Sequence, residues 1–454
     1  MKRALVKATL VRASRFGVRA SATAALVTAA LATAALVTVT LPACGTRDEA
    51  PVHEPRNERS PFGAPRTEAL DLAPRATPRP WTELREIAIG ELFMCGLARG
   101  GVYCWGTGRF GELGLGGSDQ QQREAVPAGP LRGIGDAIAI DANRGFACAI
   151  NSGGAVFCWG NNVHGQLGDG TTQNRAVPVP VEGLPLAATA VTAGYQHTCA
   201  VLADRRVACW GENADGQLGF DGGGMHLRPT IVRDLTQVDL VAAGRATTCA
   251  LRSGGAVLCW GSNQYGELGR GVGPDELASS PLPRPVTGIE RAVHVDGYGD
   301  HFCAVGESGA VWCWGGQTAP TARELRARDR RIAANLPVDP LPRIGAPWRV
   351  DGIDEVVEVA VGMGFSCARR LSGHVYCWGD NTWAQLGTGA QASRDDPSPM
   401  AGIVDATALF AGARNTCVRR PDGVALCSGS NRGGEIGNAG SSTALTPAPV
   451  MAPQ

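Results

Sequence analysis

The sequence predicts an all-β protein built from seven copies of one unit, an expectation that rests on three observations. First, 62 of 454 residues are glycine and 29 are proline, only 19% are charged, and no long stretch keeps helical periodicity. That composition suits short strands joined by turns. Second, fourteen of the fifteen cysteines form seven pairs: Cys95 with Cys104, Cys148 with Cys158, Cys199 with Cys209, Cys249 with Cys259, Cys303 with Cys313, Cys367 with Cys377, and Cys417 with Cys427. Six pairs are ten positions apart and the first is nine apart; the steps between pairs are 53, 51, 50, 54, 64 and 50 residues, so the fifth unit carries an insertion. Third, the same flanking residues recur around every pair. Length alone would suggest two or three domains, but a fixed period makes this one array.

Within a unit, the second shows the logic. Cys148-Ala149-Ile150 and Ala155-Val156-Phe157-Cys158 are two apolar runs around Asn151-Ser152-Gly153-Gly154, a hairpin signature that sets Cys148 opposite Cys158. Opposed cysteines on antiparallel strands have the separation a disulfide needs, giving one bridge per unit. By chain entropy each such loop contributes about 2–3 kcal/mol, less where the hairpin already restricts the chain. Zinc is the competing use of so many thiols. No C-x-x-C pair exists and the seven His are scattered, which argues against it.

The flanks are Cys-Trp-Gly at Cys104, Cys158, Cys209, Cys259, Cys313 and Cys377, with Cys427-Ser428-Gly429 in the last unit. A turn follows at Gly111-Glu112-Leu113-Gly114, Gly165-Gln166-Leu167-Gly168, Gly216-Gln217-Leu218-Gly219, Gly266-Glu267-Leu268-Gly269 and Gly434-Glu435-Ile436-Gly437. The sixth unit has Ala384 before Gln385-Leu386-Gly387, and the fifth lacks the motif. Glycines at fixed offsets predict positive φ or close backbone approach, and the aliphatic residue between them predicts a plug into the core.

This unit, a Cys-Ala-Leu-like strand, Gly-Gly-x-Val-Tyr-Cys-Trp-Gly and Gly-Gln-Leu-Gly, resembles the repeat of the regulator of chromosome condensation family from about Trp81 to the C-terminus. The resemblance implies a seven-bladed β-propeller of four-stranded blades, in which the cysteine spacing places one disulfide per blade. Trp-Asp repeats are disfavoured because that dipeptide is absent, and Kelch glycines fall elsewhere. Strand-like segments at 76–81 and 446–450 leave open which end completes the ring.

The first 44 residues read as an export signal: Lys2, Arg3, Lys7, Arg12, Arg15 and Arg19, then an uncharged run from Ala20 to Leu41, then Leu41-Pro42-Ala43-Cys44. That tetrapeptide resembles the bacterial lipobox, making Cys44 the lipidated first residue of an exported, envelope-localised chain anchored to the membrane; an uncleaved transmembrane helix is the alternative. Residues 45–80 hold seven Pro, six Arg and six acids, too little apolar surface for a core, and read as an extended tether to a propeller at 81–454.

Beyond residue 44 there remain 36 basic and 42 acidic residues, a net charge of −6, which argues against nucleic-acid binding. His197 and His301 stand two residues before a Cys where other units have Phe93, Phe146, Thr247, Phe365 and Asn415, so they read as variants of one buried slot. Asp221-Gly222-Gly223-Gly224 lacks the Lys-Ser/Thr of a phosphate cradle, and no catalytic, cofactor or metal constellation stands out. The insertion at about 315–350 contains Arg323, Arg326, Arg328, Arg330 and Arg331, a candidate docking element for an acidic partner or headgroups, or a solvated excursion. The family includes a nuclear exchange factor, a plant ultraviolet sensor and a secreted β-lactamase inhibitor. Nuclear partners are absent outside a bacterial cytoplasm, and the sensor's Gly-Trp-Arg-His-Thr signature is missing here. The expectation is therefore a monomeric, non-enzymatic binding scaffold for a protein or glycan, using loops on one propeller face. The alternative is an enzyme or enzyme inhibitor working in the central channel, marked by acids or His converging from several blades.

Overall fold

The computed structural model describes residues 79–99, 101–116, 121–122, 129–272, 277–316, 345–438 and 440–452. Cys44, the export segment, the tether up to residue 78 and Arg323, Arg326, Arg328, Arg330 and Arg331 lie outside the described residues. Seven four-stranded antiparallel sheets follow one another, each a meander in chain order: 86–122, 137–180, 188–231, 238–285, 292–349, 356–399 and 408–449. The opening strand of each sheet touches that of the next, and the seventh touches the first, so the sheets close as the blades of a propeller.

Every cysteine pair is in register on the second and third strands of its own blade, with Cα atoms 4.0–4.1 Å apart. That closeness is typical of a non-hydrogen-bonded antiparallel site, where side chains meet. Replacing Cys199 and Cys209 together by Ala is expected to cost about 2–3 kcal/mol by denaturant midpoint. Peptide mapping of the unreduced protein is expected to find crosslinks within blades and none between them.

What joins the blades is the Trp of Cys-Trp-Gly. Its indole N–H donates to the carbonyl of the second residue of the preceding blade's Gly-Glu/Gln-Leu-Gly turn: Trp159 to Glu112 at 2.7 Å, Trp210 to Gln166, Trp260 to Gln217 and Trp314 to Glu267 at 2.9 Å. All four indoles are fully buried and pack on the preceding blade's core, so one residue satisfies both its apolar body and its polar tip. Trp378 follows the blade that lacks the turn, makes no such bond among the described residues, and is 8% exposed. The turn's aliphatic residues, Leu113, Leu167, Leu218, Leu268, Leu386 and Ile436, are fully buried, as plugs should be. Ala384 holds the left-handed φ of 64° that glycine supplies at Gly111, Gly165, Gly216, Gly266 and Gly434.

Among the described residues the first and last blades each take all four strands from their own stretch of chain. Arg79 to Trp81 pairs with Val450 to Ala452: Trp81 N–H donates to Val450 O at 2.9 Å, Ala452 N–H to Arg79 O at 2.9 Å, and Pro80 and Met451 form an antiparallel bridge. Trp105 completes the circuit by donating to Glu435 O at 2.7 Å, which is the same Trp-to-turn bond carried across the termini.

Candidate functional site

Two positions on each opening strand line up around the ring. The position facing the first cysteine holds Ala88, Asp141, Thr192, Ala242, Asp296, Ala360 and Phe410. Two residues earlier stand Glu86, His294 and Glu358 in the first, fifth and sixth blades. Acids from several blades thus do converge, the sign expected of a working channel, but their oxygens are engaged. Asp141 accepts from Ala142 N–H at 2.8 Å and from Ala193 N–H of the next blade at 2.7 Å; Asp296 accepts from Val361 N–H at 2.7 Å. Thr192 does the same for Ala243 N–H at 3.2 Å. An opening strand has no strand on its inner edge, so these side chains satisfy N–H groups that burial would leave unpaired. Burial pushes Asp141 up to about 6 and Asp296 to about 7; Glu86 is pushed to about 7 by burial, with the Asp141 charge adding to it. Among the described residues no group of His, Cys, Asp and Glu is arranged to hold a metal ion.

His197 and His301 occupy the buried slot expected of them. Nε2 of His197 meets Thr248 Oγ1 at 2.8 Å and Nε2 of His301 meets Ser366 Oγ at 3.1 Å. Burial pulls both imidazoles down to about 4, so they are neutral packing groups.

The distinctive surface is the mouth at which each opening strand turns into the second strand. These turns bring together Glu91, Arg144, Tyr195, Arg245, Asp300, Met363 and Arg414, one from each blade. Neighbouring turns are tied by backbone bonds, Tyr195 N–H to Gly244 O, Arg245 N–H to Gly299 O and Met363 N–H to Ala413 O. Tyr195 and Tyr298 pack edge to face with centroids 5.7 Å apart, and Met363 and Ala413 join the same cluster, so four blades fill the mouth with apolar side chains. Tyr298 is 4% exposed, its hydroxyl has no hydrogen-bond partner among the described residues, and burial holds its ionisation well above the usual range. Glu91 receives Arg144 at 3.6 Å and Arg414 at 3.9 Å. Burial raises the Asp300 carboxyl, against the Arg245 charge.

Outside this plug stands a second ring, from the residue just before the first position of each Gly-Glu/Gln-Leu-Gly turn. Phe110 is 44% exposed and Tyr265 47% exposed. Two guanidinium groups lie over the rings of Trp383, Arg432 at 4.1 Å and Arg414 at 5.1 Å. His164 meets Glu212 at 3.0 Å and Gln196 at 2.9 Å, linking the second and third blades. Rigid aromatic rings beside arginines are the residue types that anchor recognition surfaces. The sequence reading missed this ring, although its signal was available: within an otherwise repeating turn, one position changes from Phe110 to His164, Asp215, Tyr265, Trp383 and Gly433.

The fifth-blade insertion springs from the same face. It departs where Gly316 N–H donates to Asp300 O at 2.7 Å, and returns where Gly345 O accepts from Gly271 N–H at 3.1 Å, beside Gly266 and hence Tyr265.

A family model described as "RCC1-like domain" matches residues 101–454. The human E3 ubiquitin-protein ligase HERC2 is 33% identical over 135 residues, 30% of this chain and 3% of that one. The Arabidopsis thaliana Ultraviolet-B receptor UVR8 is 28% identical over 301 residues, 65% of this chain and 64% of the receptor, and the mouse secretion-regulating guanine nucleotide exchange factor is 27% identical over 302 residues, 63% and 61%. The chain therefore spans less than two thirds of the length of these relatives. Among solved structures, yeast RCC1 (Prp20) bound to Kap60 superposes with a TM-score of 0.64 at 18% identity, covering 81% of this chain and 85% of that one. Human WBSCR16 gives 0.60 at 17% identity, covering 73% and 85%. Likeness at that identity speaks for the fold.

Proposed function

This chain belongs to the RCC1-like domain family, and from that premise we propose that it is an exported, non-enzymatic binding propeller that engages a protein or glycan partner at the mouth face. The observation that carries the reading is the juxtaposition there of exposed Phe110 and Tyr265, the Arg-flanked Trp383 and both ends of the basic insertion. A partner pressed on this face would desolvate flat aromatic surface and meet a rim of mixed charge, Arg144, Arg245, Arg414 and Arg432 beside Glu91, Glu212, Asp215 and Asp300. Relatives support binding as the mode of action: the yeast RCC1 structure is of a complex with Kap60.

Export is the finer part of the proposal. Seven disulfides suit an oxidising compartment. Among the described residues no helix is long and apolar enough to cross a membrane. In this reading Cys44 carries the lipid, residues 45–80 form the tether, and the basic residues Arg323, Arg326, Arg328, Arg330 and Arg331 favour a partner of acidic character. Labelled palmitate should enter the wild type and not Cys44→Ser.

The binding test is quantitative capture from envelope extracts on full-length protein. Trp383→Ala is expected to weaken capture of the main partner by tenfold or more, the scale of a buried aromatic anchor worth about 2 kcal/mol. Deleting residues 317–344, which removes Arg323, Arg326, Arg328, Arg330 and Arg331, should reduce it further and flatten its salt dependence. Equal capture by wild type, Trp383→Ala and the Phe110→Ser/Tyr265→Ser variant would remove the mouth face from contention.

A further inference from the structure

The chain itself crosses six of the seven blade boundaries; the boundary between the last and first blades is held by non-covalent contacts. At five boundaries the chain entering a blade donates a backbone N–H to the preceding blade's hairpin: Ala188 to Gly154 O, Val238 to Arg205 O, Ala292 to Gly255 O, Val356 to Gly309 O and Ala406 to Gly373 O. At the last-to-first boundary the corresponding glycine, Gly423, lies against Thr82, and no such bond to it is made among the described residues. A side chain takes over instead: the Arg419 guanidinium donates to Arg85 O. The result, on the face opposite the mouth, is a cleft of about 600 Å³ lined by Thr82, Leu84, Arg85, Arg99, Arg419 and Arg420, with Glu83 also at its wall.

We propose that this cleft binds an acidic peptide segment of a partner protein, its carboxylates received by Arg85, Arg99 and Arg419. Arg420 is already committed to Asp405, with Nη2 2.9 Å from Oδ2 and Nε 3.1 Å from Oδ1, and serves as a fixed wall. Arg85 and Arg99 are exposed and make no ion pair among the described residues, so their five N–H donors each are available. Against these two and Arg419 the lining offers one carboxylate, Glu83. A planar guanidinium matches a carboxylate through two parallel hydrogen bonds, and such pairs are stronger in a walled cleft than on open surface. The buried Leu84 and the Pro421 ring give apolar contact for the stems of acidic side chains. The cleft is far larger than one carboxylate requires, which is why a segment rather than a lone anion fits it.

The test uses the full chain and a fluorescein-labelled hexaglutamate peptide, with hexaglutamine as the neutral comparison, followed by fluorescence anisotropy at low salt. Hexaglutamate should bind and hexaglutamine should not. The double variant Arg85→Glu/Arg99→Glu should lose at least tenfold in affinity with an unchanged thermal midpoint, Arg85→Gln/Arg99→Gln should lose an intermediate amount, and Arg228→Gln, on the outer strand of the third blade, should bind as the wild type does. Undiminished binding by both double variants would overturn the proposal, as would loss of binding in Arg228→Gln. Displacement of the peptide by inorganic phosphate but not by acetate would also overturn it, reassigning the cleft to phosphate.

Discussion

Replacing Gly211 with alanine is expected to destabilise the propeller by more than about 3 kcal/mol, the sum of a left-handed backbone penalty and a clash that nothing flexible relieves. Gly211 has φ +106°, and a Cβ there would stand 2.5 Å from the carbonyl oxygen of Gln196 and 2.7 Å from the Cα of His197, both backbone atoms of the adjoining strand and its turn. The same site recurs: a Cβ on Gly160, Gly261, Gly315, Gly379 or Gly429 would lie 2.2–2.5 Å from the equivalent carbonyl. The cause is the ladder itself. The third strand shifts register between Cys209 and Gly211 where it pairs with the fourth, and this irregularity turns the backbone tightly against the second strand. Gly223→Ala is the control, because its backbone is not left-handed and its nearest neighbour would be Asn213 O at 3.8 Å. The measurement is the denaturant midpoint of each variant. A Gly211→Ala midpoint within error of the Gly223→Ala value would refute the account of why Cys-Trp-Gly ends in glycine.

The repeats were legible because each encodes local geometry: a hairpin turn, two cysteines in register, a glycine at a bulge. The buried histidines were legible for the same reason, since exchange of His197 and His301 with Phe93 or Phe146 at one offset already signals a packing slot. Trp159 and its counterparts were visible as a recurring position, but not as a bond to the previous blade, because a sequence period does not say which turn the indole N–H will meet. Closure was open for a stronger reason. The segments 76–81 and 446–450 both read as strand-like, and only the curvature accumulated over seven blades brings Trp81 against Val450. The mouth depended on convergence of a kind local patterns do not carry. Tyr195 and Tyr298 are separated by two blades along the chain yet pack in contact at the axis.

Trp105→Ala is expected to cost about 3–5 kcal/mol, the range for removing a large buried aromatic, and its consequence should differ in kind from the same change elsewhere. Trp105 is fully buried against Trp81, Ile436 and the Cys417–Cys427 pair, and donates to Glu435 O across the one boundary that the chain does not cross. Trp210→Ala removes an equivalent latch, but its blades stay joined by the backbone, so the loosened pair remains at high effective concentration. In Trp105→Ala the terminal pairing of Trp81 with Val450, the Arg419 bond to Arg85 O and the Arg414–Glu91 pair have to hold the boundary with no covalent link between the two blades. Hydrogen exchange separates the two. Trp105→Ala should expose amides in 79–98 and 408–452 well below the global unfolding transition, whereas Trp210→Ala should lower protection around the second and third blades and leave the terminal strands protected. Trp105→Phe keeps a buried aromatic ring but loses the N–H and part of the indole's volume, leaving Glu435 O without that donor, and should lose an intermediate amount, about 1–3 kcal/mol, with the same exchange pattern in weaker form. Uniform loss of protection around all seven blades in Trp105→Ala would mean that the ring unfolds as one unit and that its termini are no weaker than its other joints.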